Sequence, residues 1–187
     1  MPATSLARPD RGGVRPAAAS GGQAPAIEGG PRVSIRFHLN GRAVTTDAPE
    51  TAMLLYVLRD EFGVNGPRFG CGLAECGCCT VIQGESTAIR SCSVPVAEVA
   101  GQSVTTLEGL GSPDKPSPVQ AAFMEEQAAQ CGYCTNGMMM QATAFLRQNP
   151  HPTEVQIRAE MNNNLCRCGT YVRFIAAIKN AALKGGV

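Results

Sequence analysis

Eight of the nine cysteines of this 187-residue chain fall into two spaced sets. One set reads Cys131-Gly132-Tyr133-Cys134, then 31 residues, then Cys166-Arg167-Cys168. Its thiols arrive as two close pairs, each just ahead of an apolar segment of helical period. Thiolates are soft ligands, and four around one centre suit zinc or an iron–sulfur cluster. Paired thiols are also the usual zinc spacing, so these residues alone leave both readings open. The other set lies in Gly70-Cys71-Gly72-Leu73-Ala74-Glu75-Cys76-Gly77-Cys78-Cys79. With Cys71, Cys76 and Cys79 as ligands the spacing is C-x4-C-x2-C, and Cys92 follows after 12 residues. This is the plant-type [2Fe–2S] pattern. A loop that wraps a compact anion and aims N–H groups at its sulfides needs residues that tolerate positive φ and close approach, which glycine does. Zinc needs no such loop. Cys78 would break the spacing as a ligand and is expected to be a small buried residue beside the cluster.

The elements around these sets follow from periodicity. Val33, Ile35, Phe37 and Leu39 alternate with polar residues, the mark of a half-buried strand. Asn40-Gly41 signals a type I′ hairpin turn, with Arg42–Thr46 as the return strand. Residues 51–62 take helical spacing, with Ala52, Leu55, Leu58 and Phe62 on one face and Gly63 as C-cap. Short strands are expected over Thr80–Gln83, Thr87–Cys92 and Ser103–Leu107. Residues 109–117 read as a linker rich in turn formers. Beyond it the pattern is helical. Ser117-Pro118 opens one helix and Thr135 is expected to cap the next, which Asn149-Pro150 stops. Thr153 to Gln156 is a capping box for a third, and a fourth runs from about Val172 to Leu183. The fold class is α+β. A β-grasp ferredoxin-like domain over 32–108 is followed by a four-helix bundle over 118–187. Cys131 and Cys134 precede the second helix of the bundle, and Cys166 and Cys168 precede the fourth. Two helix N-termini therefore face one centre and favour an anion there, whether cluster or zinc tetrathiolate.

Composition excludes several functions. The net charge of +1 provides no broad field for nucleic acid, and the absence of Trp removes one stacking platform. No segment reaches the roughly 18 apolar residues of a membrane span. Residues 1–31, rich in Ala, Gly, Pro and Ser, read as a disordered tail without the apolar region of a secretory signal. The odd number of cysteines and the lack of a signal favour reduced, metal-holding thiols and a cytoplasmic protein, with membrane association or carriage to the periplasm through a partner as the alternative. His38 and His151 are isolated, so Rieske-type ligation is not expected. No Gly-x-Gly-x-x-Gly follows a strand, so no nucleotide or flavin site is expected in this chain. Met138, Met139 and Met140 read as core and interface filler.

Two four-cysteine sets in this order, β-grasp then helical, resemble the iron–sulfur subunit of the molybdenum hydroxylases, the xanthine dehydrogenase and aldehyde oxidoreductase family. The resemblance covers about residues 33–184. It rests on Gly70-Cys71-Gly72 through Cys79, on Cys92, on Gln130 to Cys134 and on Asn164-Leu165-Cys166-Arg167-Cys168. It implies two [2Fe–2S] clusters, one on Cys71, Cys76, Cys79 and Cys92, the other on Cys131, Cys134, Cys166 and Cys168. It implies a large partner subunit holding a molybdopterin cofactor, touched across the interface by Gln130 and Cys168. Electrons would leave through both clusters to a cytochrome c or an FAD-containing acceptor, and the chain would carry no catalytic residue of its own. The stretches Gly66–Leu73, Asn136-Gly137-Met138 and Cys166–Thr170 look most like small subunits of nicotinate and isoquinoline hydroxylases, which implies an N-heteroaromatic substrate for the complex. An aldehyde substrate, or a free-standing ferredoxin, is the alternative. Gly169-Thr170 replaces the family's usual Thr-Gly order, and Cys78 replaces a small residue without sulfur.

Overall fold

The computed structural model describes residues 34–185. The expected tail over 1–31 and the start of the first strand at Val33 lie outside them. Strand β1 (Ile35–Leu39) buries alternate residues and returns as β2 (Arg42–Thr46), paired antiparallel from Ile35↔Thr46 to Leu39↔Arg42. The turn between them places both Asn40 (φ 51°) and Gly41 (φ 79°) in the left-handed region, as a type I′ hairpin requires. β3 (Thr80–Gln83) and β4 (Thr87–Arg90) form a second hairpin, and β5 (Ser103–Thr105) joins the two hairpins in the order β2-β1-β5-β3-β4. β5 runs parallel to β1 and antiparallel to β3. β4 stops at Arg90 and β5 at Thr105, both shorter than the sequence pattern implies.

The helix expected over 51–62 is a short α-turn, α1 (Leu54–Tyr56), running into a π-helical segment at Val57–Glu61. Its inward residues are Leu54, Leu55, Val57 and Leu58 rather than one narrow stripe. The reason is that two cores flank it. Leu54, Val57 and Leu58 pack with Phe37, Val81 and Val104 under the sheet, while Leu55 packs against Cys79 and Cys92. A short helix, α2 (Leu107–Leu110), occupies the start of the expected linker.

The helical half follows the caps written in its sequence. Ser117 and Gln120 form a reciprocal capping box for α3 (Pro118–Glu125), and Thr153 and Gln156 do the same for α5 (Glu154–Met161). α4 (Thr135–Gln148) departs from expectation: Cys134, not Thr135, is its N-cap, and its carbonyl accepts from the Met138 N–H at 3.0 Å. The Thr135 hydroxyl is inside the first turn, buried and without a partner. α6 (Tyr171–Leu183) buries Phe174, Ile175, Ala177, Ile178 and Ala181 against Val119, Phe123, Met138 and Ile157. α4 serves both halves. Met138 faces the helical core, while Met140 and Ala144 pack on Ile82 of β3. The described residues accordingly form one compact unit.

Candidate metal centres

The first cysteine set is held by a loop and a hairpin. Gly72 (φ 69°) and Gly77 (φ 77°) bend the loop, and Ala74 joins them at φ 61° despite its side chain. The bends turn N–H groups onto sulfur. Cys71 N–H donates to Cys76 Sγ at 3.4 Å, and Leu73 and Cys76 N–H donate to Cys71 Sγ at 3.4 and 3.3 Å. Burial alone would raise the Cys71 thiol, but these N–H groups outweigh it and bring it down to about 7. Cys79 precedes β3 and Cys92 follows β4, so the turn at Gly84 brings together two thiols 12 residues apart in sequence. Ser91 fastens that end, its hydroxyl donating to Cys79 O at 2.7 Å, and Leu55 covers both thiols. Burial pushes Cys79 up to about 12.

The second set lies on two turns ahead of α4 and α6. Gly132 (φ 76°) and Gly169 (φ 73°) reverse the chain within each. Cys131 and Cys168 approach to 3.5 Å between sulfurs. Cys134 and Cys166 are buried and packed in the same core. Burial pushes Cys134 up to about 12. Burial would also raise Cys166, but hydrogen bonding from Thr170 outweighs it, and the thiol falls to about 7. The Thr170 hydroxyl lies 3.3 Å from Cys166 Sγ, and the Cys166 N–H donates to Tyr171 Oη at 2.7 Å. The Gly169-Thr170 order thus gives the turn its left-handed residue and puts a hydroxyl on a thiol.

The eight thiols therefore lie as four neighbouring pairs: Cys71 with Cys76, Cys79 with Cys92, Cys131 with Cys168, and Cys134 with Cys166. Two thiolates on one tetrahedral metal with bonds of about 2.3 Å stand roughly 3.8 Å apart, so each pair suits one metal. A binuclear cluster, with two thiolates on each iron, is built from such pairs.

The two sets are neighbours. Leu165 N–H donates to Cys76 O at 2.9 Å, joining the residue before Cys166 to the first loop. Gly77 fits beneath Asn164, and Gly137 of α4 fits beneath Gly77 and Cys78. Two arginines of the first half hold the two turns of the second. Arg68 donates to Gly132 O at 2.6 Å and lies over the Tyr133 ring, whose hydroxyl donates to Phe69 O. Arg90 donates to Gln141 Oε1 at 2.8 Å and to Asn163 O at 3.0 Å. Neither arginine is marked by the cysteine spacing; both stand out only by the contacts they make. Gln130 is exposed and lies with Thr170 and Arg173 along a shallow pocket beside the second set. Cys168 is half-buried. His38 and His151 are exposed and join neither set.

Residues 37–105 match the 2Fe-2S iron-sulfur cluster binding domain and residues 106–179 the [2Fe-2S] binding domain. Fold and thiol arrangement define a protein of two [2Fe–2S] centres, a β-grasp ferredoxin domain joined to a four-helix one. The chain is 52% identical over 151 residues to a subunit of the nicotinate dehydrogenase of Pseudomonas putida, covering 81% of this chain and 96% of that one. It is 52% identical to the alpha subunit of isoquinoline 1-oxidoreductase of Brevundimonas diminuta, covering 79% and 97%. Among solved structures, a chain of quinoline 2-oxidoreductase from Pseudomonas putida 86 superposes with a TM-score of 0.74 at 33% identity, covering 83% of this chain and 98% of that one. The aldehyde oxidoreductase of Desulfovibrio desulfuricans superposes with a TM-score of 0.77 at 36% identity, and there the chain spans 17% of the longer protein. The chain belongs to the small iron–sulfur subunits of the molybdenum hydroxylases, the electron-transfer and not the substrate-converting chain of those oxidoreductases.

Proposed function

We propose that this chain holds one [2Fe–2S] cluster on Cys71, Cys76, Cys79 and Cys92 and another on Cys131, Cys134, Cys166 and Cys168, within a complex whose large subunit carries the molybdopterin. The single observation that carries this reading is the placing of eight thiols as four neighbouring pairs, two pairs in each half, with the halves joined at Cys76 and Leu165. When bound, the clusters supply one-electron carriers. The chain's own groups set their surroundings. N–H groups of Cys71, Leu73 and Cys76 stabilise negative charge on the outer pair of the first site. Leu55 keeps water from the inner pair. The first turns of α4 and α6 direct their free N–H groups toward the second site.

The domain division underlying this reading places the ferredoxin domain at 32–108, a linker at 109–117 and the helical domain at 118–187. The pterin docks beside the exposed Gln130 and the half-buried Cys168, so electrons enter at the second site and leave from the first, where Leu73 is 74% exposed, to a cytochrome c or FAD-containing chain. The relatives named for nicotinate and isoquinoline support an N-heteroaromatic substrate for the complex. Among the described residues no helix is long and apolar enough to cross a membrane. Nine cysteines, eight of them cluster ligands in this reading, favour assembly in the reducing cytoplasm. Purification from the native host tests the reading. A large molybdenum-containing partner at fixed stoichiometry, about four irons per small chain and two paramagnetic signals on dithionite reduction are expected. A lone monomer, or zinc in place of iron, would refute it.

A further inference from the structure

Three helices of the helical half begin with a hydroxyl residue at the N-cap, and one of them departs from the pattern of the other two. Ser117 and Thr153 accept from the backbone N–H three residues on, that of Gln120 and of Gln156. Their ψ angles, 160° and 158°, are the extended values usual for a cap. Thr170, the N-cap of α6, has ψ 24°, and its side chain makes no capping bond. Its hydroxyl lies instead 3.3 Å from Cys166 Sγ, with Thr170 7% and Cys166 8% exposed. The backbone holds the two together. Gly169 N–H donates to Cys166 O at 3.2 Å, and Arg173 and Phe174 N–H both donate to Thr170 O at 3.1 Å. The Thr135 hydroxyl, next to Cys134 in the chain, has no partner. Among the described residues Thr170 thus supplies the one hydroxyl bonded to the buried pair Cys134 and Cys166, which is more shielded from water than the exposed Cys131.

Resting on the two-cluster reading above, we propose that Thr170 is a positioning residue acting through Cys166: its hydroxyl donates to that ligand sulfur and holds the potential of the second cluster above the value the sulfur would give unaided. Between a thiol and a hydroxyl either atom could donate. A cluster ligand is a thiolate and carries no proton, so the hydroxyl becomes the donor. Hydrogen bonds to a charged acceptor are the stronger ones, and burial strengthens them further. Donors to ligand sulfur stabilise the reduced, more negative cluster and raise its potential. The departure at α6 then has a physical reason. A local rule, the side-chain cap, is given up for a bond to the site.

The test is a redox titration followed by EPR on the intact complex carrying wild-type chain, Thr170→Val or Thr170→Ser. Valine keeps the branched shape and removes the hydroxyl; serine keeps the hydroxyl and removes the branch. The signal of the second cluster is identified as the one altered or abolished in Cys131→Ser. Wild type is expected to show about four irons per chain and two signals; their absence would overturn the two-cluster reading itself. Thr170 is not a ligand, so both variants are expected to retain that iron. In Thr170→Val the midpoint of the second cluster moves to more negative potential while that of the first stays in place, and in Thr170→Ser both keep their wild-type values. An unmoved second midpoint in Thr170→Val, an equal shift of both clusters, or a second midpoint that falls in Thr170→Ser as well would overturn the inference while leaving the two-cluster reading intact. Should the valine variant not assemble, Thr170→Ala takes its place, and an unmoved second midpoint there would overturn it equally.

Discussion

Replacing Gly137 by alanine tests how the two halves are held against each other. Gly137 is inside α4, where alanine improves on glycine by about 1 kcal/mol of helix propensity. On propensity alone the substitution stabilises. The structure predicts the opposite. A Cβ at this position would fall inside the radius of the Gly77 carbonyl oxygen, 2.8 Å from the carbonyl carbon and 3.0 Å from Cys78 Cα. Carbon–carbon contacts are comfortable at about 3.5–4.0 Å, so the loop must recoil by roughly 0.5–1 Å. What must give is backbone, not the free end of a side chain, and it is tied down through Thr80 N–H to Gly77 O and Arg68 N–H to Cys78 O. Overpacking of this kind costs about 1–3 kcal/mol, as much as the helix gain or more. A net loss of up to about 2 kcal/mol lowers the melting temperature by up to roughly 8 °C in a domain of this size. The recoil also moves the first site away from the second, so the magnetic interaction between the reduced clusters weakens in the EPR spectrum. Thermal unfolding and EPR of the holoprotein measure both effects. A variant that melts higher than wild type, with an unchanged spectrum, would refute the claim that Gly137 is there for contact.

Other outcomes follow from the same geometry. Cys78→Ala keeps about four irons per chain whereas Cys79→Ala loses about two; metal analysis of the purified variants checks this, and the reverse pattern would reassign the ligand. Arg90→Lys retains the charge but loses the fork that reaches Gln141, Asn163 and Asn164, and should lower stability by about 1–3 kcal/mol in denaturant titration. Glu108 accepts from Asn65 and Gly66 N–H and from the Thr106 hydroxyl. Burial would raise its carboxyl, but these donors outweigh it and hold it below the usual glutamate range. Its stabilisation is therefore present above the unfolded pKa of about 4.3 and fades as pH falls through the lower folded value. Glu108→Gln should melt below wild type at neutral pH, with the gap closing in acid; a gap independent of pH would remove the carboxylate from the explanation.

Much of the molecule is legible in its sequence because the signals are local. Alternation over Ile35–Leu39, the Asn40-Gly41 turn and the capping boxes at Ser117 and Thr153 each depend on neighbours within four residues, and each takes the form its residues dictate. The spacing of the cysteines likewise marks two sulfur sites unaided. Local pattern misjudges α1 and the cap of α4. The face of α1 is decided by two cores distant in sequence, and Cys134 takes the cap because its loop is already committed to the second site. The sequence by itself determined which thiols are available and in which turns they sit. Only the tertiary structure decided that they meet in pairs suited to binuclear clusters, that Arg68 and Arg90 hold the second site's turns from the other half, and that Cys78 packs into the helical core. Those are contacts between segments tens of residues apart, set by close packing rather than by period, and no local pattern encodes them.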